Sequence, residues 1–515
     1  MSSLVTANNL INTWNLNGGF LDATFVSSIQ GLAEDINAVY SLPNINGLGD
    51  EVIILEDTSL TASQLNALAG ISSETINAGS ITTLAGAAAD LNTAYTANDN
   101  GSISGLSNEN VTLTDTTLDA SVLNTLDGNT SGTIDASSIN TLTGAADDLI
   151  TAYDSGGITG LGDEAINVSS GTASTDQVNT LAAATDAVVT ATLSDGDLAT
   201  LAGLNETGNA YSITITDNSV AAAALNALDG KTTVAINANA ITTLSGSAAD
   251  LISAYTANSN GSINGLGNEA VNVNSGTAST SQANALAADT SGVVTATISD
   301  GDMATLAGLT ETGNAYTITI TDNSVAAAAL NTLDGKTSVA INASNITTLT
   351  GAAADLNTAY GSSGINNLGD EAIFLSDTTL AVSVLNALDG HTSGAINAST
   401  INTLTGAAAD LNTAYTSGGI SNLGNEAVIL SDTSLAASVL NILDGHTSGT
   451  INASSINTLT GAAADLNTAY TSGGISNLGN EAITLSDTSL SASVLNTLDG
   501  RTSGAINASS INTLT

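Results

Sequence analysis

Carboxylates are the side chains that this sequence sets at regular intervals where they could do chemistry. Asp or Asn followed by Glu closes a glycine-rich loop and recurs along the chain: Asp50–Glu51, Asp163–Glu164 and Asp370–Glu371, with Asn ahead of Glu109, Glu269, Glu426 and Glu481. Three further columns of acid accompany it. One ends a short apolar run (Asp57, Asp115, Asp217, Asp322, Asp377, Asp432, Asp487), one lies in AAAD-type segments (Asp90, Asp148, Asp250, Asp355, Asp410, Asp465), and one is the Asp of an LDG triplet. Carboxylate and carbonyl oxygens are hard ligands that suit calcium. The pattern predicts calcium held between carboxylates and loop carbonyls of successive coils, with Asp50, Glu51, Asp163, Glu164, Asp370, Glu371, Glu426 and Glu481 as ligands. The competing reading is structural: helix capping for the first column, solvation for AAAD and turn geometry for the rest. Neither an EF-hand loop nor the calcium-binding glycine-rich nonapeptide of RTX repeats occurs.

The cations are more restricted still. Lys231, Lys336, His391, His446 and Arg501 are all of the basic residues, and each directly follows LDG; Asn129 fills that place in another copy. The position lies just past an expected helix C-terminus, where a positive charge gains ~0.3–1 kcal/mol from the helix dipole. The adjacent aspartate offers a local charge partner. A column that exchanges Lys, His, Arg and Asn reads as neither catalyst nor metal ligand. No histidine is left as a general base and no cysteine as a nucleophile. The two histidines lie a full repeat apart, which does not suit a His-ligated zinc. Paired carboxylates hydrolyse glycosides from one distinctive site, whereas these recur. The sequence therefore predicts a protein that is not an enzyme.

Against three Lys and Arg stand 48 Asp and Glu, a net charge of −45. No basic patch for nucleic acid can be assembled, and an anionic membrane would repel the chain. Divalent cations and a saline, screening medium are the natural surroundings. Disulfides are excluded by the absence of cysteine. The start, MSSLVTANNLINTW, lacks the basic and apolar regions of a classical signal peptide, so export would need an address elsewhere. No apolar run is long enough to span a bilayer.

The elements that must position these columns follow from self-similarity. Leu388, Leu443 and Leu498 share the LDG triplet, giving a repeat of 55 residues (443 − 388, 498 − 443); Ser212 and Thr317 mark a second spacing of 105. Such periods mean stacked repeats. Each repeat reads as a short coil and a long one. In the short coil, Val428 and Leu430 form a strand, Asp432 to Ser434 are N-cap types, Leu435, Val439, Leu440 and Leu443 form one helical face, and Gly445 is placed for a left-handed stop. In the long coil, Ile451 and Ala453 point inward, and Ile456, Leu459, Ala463, Leu466 and Tyr470 read as a helical face that Gly461 breaks in two. Ile475 and Leu478 then plug the return to the next strand. Ile166–Ala210 and Val271–Ala315 carry variants of the same order.

These readings predict an α/β solenoid with a parallel sheet; the alternative is an all-β solenoid, against which the i, i+4 spacing from Leu435 to Leu443 argues. About nineteen coils at a strand spacing of ~4.8 Å would make a rod roughly 90 Å long. Residues 1–51, with Trp14, Phe20, Phe25 and Pro43, are expected to be an N-terminal cap with a first partial repeat, and 52–515 the repeat solenoid. Tyrosines recur once per long coil, at Tyr40, Tyr95, Tyr153, Tyr255, Tyr360, Tyr415 and Tyr470, as core-edge residues with a wet hydroxyl. Threonine pairs such as Thr214 and Thr216 are too few for an ice-binding face.

The consensus VTLSDTSLxAxxLNxLDGxTSGxINASxIxTLTGAAADL resembles repetitive regions of very large bacterial surface and extracellular proteins, of cyanobacterial and marine proteobacterial type. Many of these are exported by type I secretion and built as fibres, surface layers or adhesins. LNxLDG alone is also similar to a phage tail-fibre repeat, which runs at a shorter period. The resemblance implies an extracellular or cell-surface structural protein whose main partner is itself. The final SSINTLT stops inside a long coil, which points to a head-to-tail filament or a continuing chain. The alternative is the stalk of a large adhesin or phage-type fibre, with a binding tip outside this segment.

Overall fold

A computed structural model describes residues 3–515. The chain is an α/β solenoid of repeated strand–helix units joined by parallel ladders, and nineteen helices lie among the described residues. It divides into two compact units, Met1–Leu244 with Ser253–Leu266 and Ser245–Ile252 with Gly267–Thr515. No helix among the described residues is long and apolar enough to cross a membrane.

One repeat of the second unit shows the order. Strands Ala372–Leu375 and Thr379–Ala381 lead into helix Val382–Asp389; strands Ile396–Asn397 and Thr403–Gly406 lead into helix Ala408–Thr416; strand Ile420–Ser421 returns the chain. Alternation turns one or two aliphatic residues of each strand inward, as with Leu404 on one and Ile373 and Leu375 on another. These residues stack in register from coil to coil: Val325, Leu349, Ile373, Ile396 and Ile420 form one parallel column. In the first unit Leu60, Leu84, Val111, Ile134 and Ile158 form another, all buried. Each fully buried Leu or Ile contributes about 1.5–3 kcal/mol over exposure, so the columns outweigh any single polar contact described below. The helices close the remaining side. Val382, Leu385 and Leu388 face inward, as do Ala408, Leu411 and Ala414.

The ladders are staggered relative to the helices. From Val325 to Ile373, two coils of ladder use 48 residues (373 − 325), while the sequence repeats every 55, which places the counterpart of Val325 at Leu380 (380 − 325). The surplus of seven residues per repeat carries each helix sideways, so a ladder that begins just before one helix (Ser324–Ala326, then Ala327–Asp334) ends just after another (Ala408–Thr416, then Ile420–Ser421).

Three local expectations are corrected. Leu435 lies on an extra strand, Ser434–Ala436, paired with Thr458–Gly461, and helix Ala437–Asp444 starts only after it. Leu459 likewise belongs to that strand rather than to a first short helix, and Gly461 ends the strand at φ +144. Gly445 is right-handed, φ −74, not a left-handed stop. The common reason is that Leu-containing tripeptides between turns satisfy helical spacing and strand alternation equally well, and ladder pairing decides.

Asp432 does cap a helix, but not its own. Its carboxylate accepts the N–H of Ala408, at 2.8 Å, from the helix one coil earlier. The same bond joins Ala33 to Asp57, Ala88 to Asp115, Ala353 to Asp377 and Ala463 to Asp487. In the variant coils Asp195, Asp217, Asp300 and Asp322 do this for Thr175, Leu198, Thr280 and Met303. At the N-terminal side, strand Leu4–Thr6 pairs with Ser28–Gly31, and Trp14 Nε1 donates to Pro43 O at 2.9 Å, while Phe20 and Phe25 are exposed.

Replacing Asp432 by Ala is expected to lower stability by about 1 kcal/mol, the usual worth of a helix cap. Asp163→Asn, at an exposed loop position, should stay within about 0.5 kcal/mol. Urea-unfolding midpoints of the two variants check the difference.

Candidate functional site

The Asp/Asn–Glu loops are the most repeated polar feature, and the fold separates the two residues of each pair. At Asn422 and Gly424 the backbone turns through positive φ, 65 and 127. That turn points the N–H groups of Gly424 and Asn425 back at the Glu426 carboxylate, which accepts both at 2.9 and 3.2 Å. Helix Ala408–Thr416 delivers Tyr415, whose hydroxyl donates to the same carboxylate. The backbone carbonyl of Glu426 in turn accepts Thr447 Oγ1 at 2.8 Å from the next coil, and Thr447 Oγ1 takes the N–H of Gly449. A Cβ on Gly449 would sit 2.2 Å from that carbonyl, so close approach, not backbone freedom, requires glycine there.

The same fastening recurs. Tyr40 and Gly49 N–H donate to Glu51, Tyr360 and Gly369 N–H to Glu371, Tyr153 and Gly162 N–H to Glu164, Tyr470 and Gly479 N–H to Glu481, and Tyr95 and Ser107 N–H to Glu109. Ser72, Thr130, Thr185, Thr290, Thr392 and Thr502 supply the hydroxyl from the following coil. Each of these glutamates is at most 1% exposed, whereas Asp50, Asp163 and Asp370 are exposed. Oε1 of Glu51 and of Glu371 is buried without a protein partner.

This geometry does not fit a calcium site. Each of Glu51, Glu164, Glu371, Glu426 and Glu481 is buried singly and takes N–H and O–H donors, at Glu51 and Glu371 on Oε2 alone, and such donors present hydrogens where calcium needs oxygens. Asp50, Asp163 and Asp370 face solvent. Among the described residues no three or more His, Asp or Glu side chains converge. What the arrangement does is tie the loop to the helix before it and to the coil after it.

The tyrosines were expected to have wet hydroxyls; instead Tyr40, Tyr95, Tyr153, Tyr360, Tyr415 and Tyr470 spend them on glutamate. Burial, and then the bond to a carboxylate, push Tyr40, Tyr95, Tyr360, Tyr415 and Tyr470 far above the ordinary phenol range. Burial, helped by the charges of Glu206 and Glu311, pushes Tyr211 and Tyr316 up to about 12.

The cation column is matched to its surroundings rather than freely exchanged. His391 stacks on Tyr360 with ring centres 5.7 Å apart, and His446 on Tyr415 at 5.5 Å. Lys231 and Lys336 follow coils without that tyrosine and donate to the carbonyls of Asn205 and Thr310 at 2.9 and 2.8 Å. Asn129 pairs with Asn92. The LDG aspartates accept serine hydroxyls from the next coil, as Asp389 does from Ser417 and Asp444 from Ser472. Sequence reasoning passed over the Ser/Thr and Gly of the TSG segment, although TSG follows LDG and one further residue in four of its six copies.

No protein-family model and no curated protein matches this sequence.

Tyr415→Phe should cost about 1–3 kcal/mol by removing a donor from a buried carboxylate, and Gly449→Ala a similar amount by forced overpacking; thermal melts read both. Alkali tests the tyrosines together. Their folded pKa lies above the unfolded value of about 10, so their contribution is complete below about pH 10 and is lost as pH rises beyond it. Phenolate absorbance should therefore appear together with the loss of circular dichroism, not ahead of it.

Proposed function

We propose that this chain is an extracellular structural protein, an acidic solenoid that builds a rod or filament by head-to-tail stacking in a surface fibre, sheath or layer, and that it is not an enzyme. The observation that carries this reading is where the polar side chains go. The strand-end aspartates cap helices of the neighbouring coil, the loop glutamates are closed inside, and both histidines lie on tyrosine rings. What repeats is fastening, and fastening between coils produces extension.

The resemblance of the repeat to bacterial surface proteins supports the location, and a net charge of −45 suits a saline medium that screens self-repulsion. A parallel ladder presents unpaired N–H and C=O groups wherever it stops, and a second copy in the same register is the partner that satisfies them. Divalent cations act here as counter-ions between acidic exteriors, not as an internal cofactor.

Electron microscopy of the purified chain at physiological ionic strength tests the proposal. Unbranched filaments are expected, with subunits related by translation along the axis, and a chelator should loosen their lateral bundling while the coils stay folded. Monodisperse single particles at all concentrations would overturn the assembly and favour a stalk.

A further inference from the structure

Both lysines of the chain border the same kind of cavity. One, of about 240 Å³, is lined by Met303, Leu306, Leu309, Ala329 and Leu333 with Lys336 at its edge. Its counterpart, of about 280 Å³, is lined by Leu201, Ala202, Ala224, Ala227 and Leu228 with Lys231 at its edge. The two are equivalent through the 105-residue spacing (336 − 231). They exist because helices Leu198–Leu201 and Met303–Leu306 are four residues long, where most other coils carry eight or more. The missing turns leave one flank of helices Ala222–Asp229 and Ala327–Asp334 uncovered.

The charge at the edge is what selects a ligand. In a chain with three Lys and Arg against 48 acids, two of the three line these cavities. Each ammonium carries three donors and spends one on a carbonyl, of Asn205 or Thr310. Elsewhere in the column, His391 and His446 each stack on a tyrosine ring. An apolar cavity of about 150 Å³ suffices for benzene, so each of these has room for a short alkyl chain.

We propose that the two cavities bind short aliphatic carboxylates, the alkyl chain against Leu306 and Leu333, or Leu201 and Leu228, and the carboxylate on Lys336 or Lys231. An acidic exterior disfavours anions over most of the remaining surface.

Calorimetric titration of the full chain with octanoate, at an ionic strength that screens the net charge, tests the assignment. Saturable binding of two octanoates per chain is expected. The double variant Lys231→Met, Lys336→Met keeps an aliphatic stem over each cavity and should weaken binding about tenfold, the worth of one charge-assisted hydrogen bond. Ala224→Phe with Ala329→Phe fills both cavities from exposed or half-buried positions and should abolish binding with the circular dichroism unchanged. Absence of saturable binding, or equal affinity in parent and both folded variants, would overturn the proposal; octanol binding as tightly as octanoate would overturn the role of lysine.

Discussion

Two lengths conflict in this fold. Parallel strands stack at about 4.7–4.9 Å, and packed helices need about 8–10 Å between axes. A coil that contains both cannot place each helix directly over the last. The seven surplus residues per repeat answer the conflict by moving successive helices around the coil while the ladders keep their register. At roughly 3.3 Å per residue, the step is about 20 Å per repeat. The finite ladders, the extra strand before each short helix, and the meeting of each helix with residues from a different coil are consequences of that step.

The step also explains why so acidic a chain can seal carboxylates inside. A helix displaced sideways exposes its first N–H groups to the coil that follows, and a strand-end aspartate arrives at that point. The loop before each strand must reverse over the shifted helix end. The buried glutamate holds that reversal with N–H donors from its own loop and a hydroxyl from the helix. Acids that look alike in composition therefore divide into those that face water, such as Asp163 and Asp370, and those that replace water for the backbone, such as Asp432 and Glu426.

Much of the architecture was legible before any coordinates. Repeat length, inward columns such as Ile451 and Ala453, helical faces over residues 439–443 and 463–470, and a parallel α/β solenoid followed from spacing alone. The extra strands did not, because a three-residue strand holding one Leu leaves no period distinct from a helical turn, and only the partner coil resolves it. The geometry of the Asp/Asn–Glu loops was hidden for a related reason. Adjacent Asp and Glu suggested convergence, but on an extended backbone neighbouring side chains point to opposite faces, so Asp370 and Glu371 part company. The aspartate column was read correctly as capping, while its target one coil away could not be seen in a linear sequence.

These fastenings join each coil to the one that follows it. Ala408 is completed by Asp432, Glu426 by Thr447 and Asp389 by Ser417, in each case by a residue made later. A coil without its successor therefore keeps a helix N–H, a loop carbonyl and an LDG carboxylate without their partners. An uncovered layer is thus the least tied part of such a stack, and covering it supplies what it lacks.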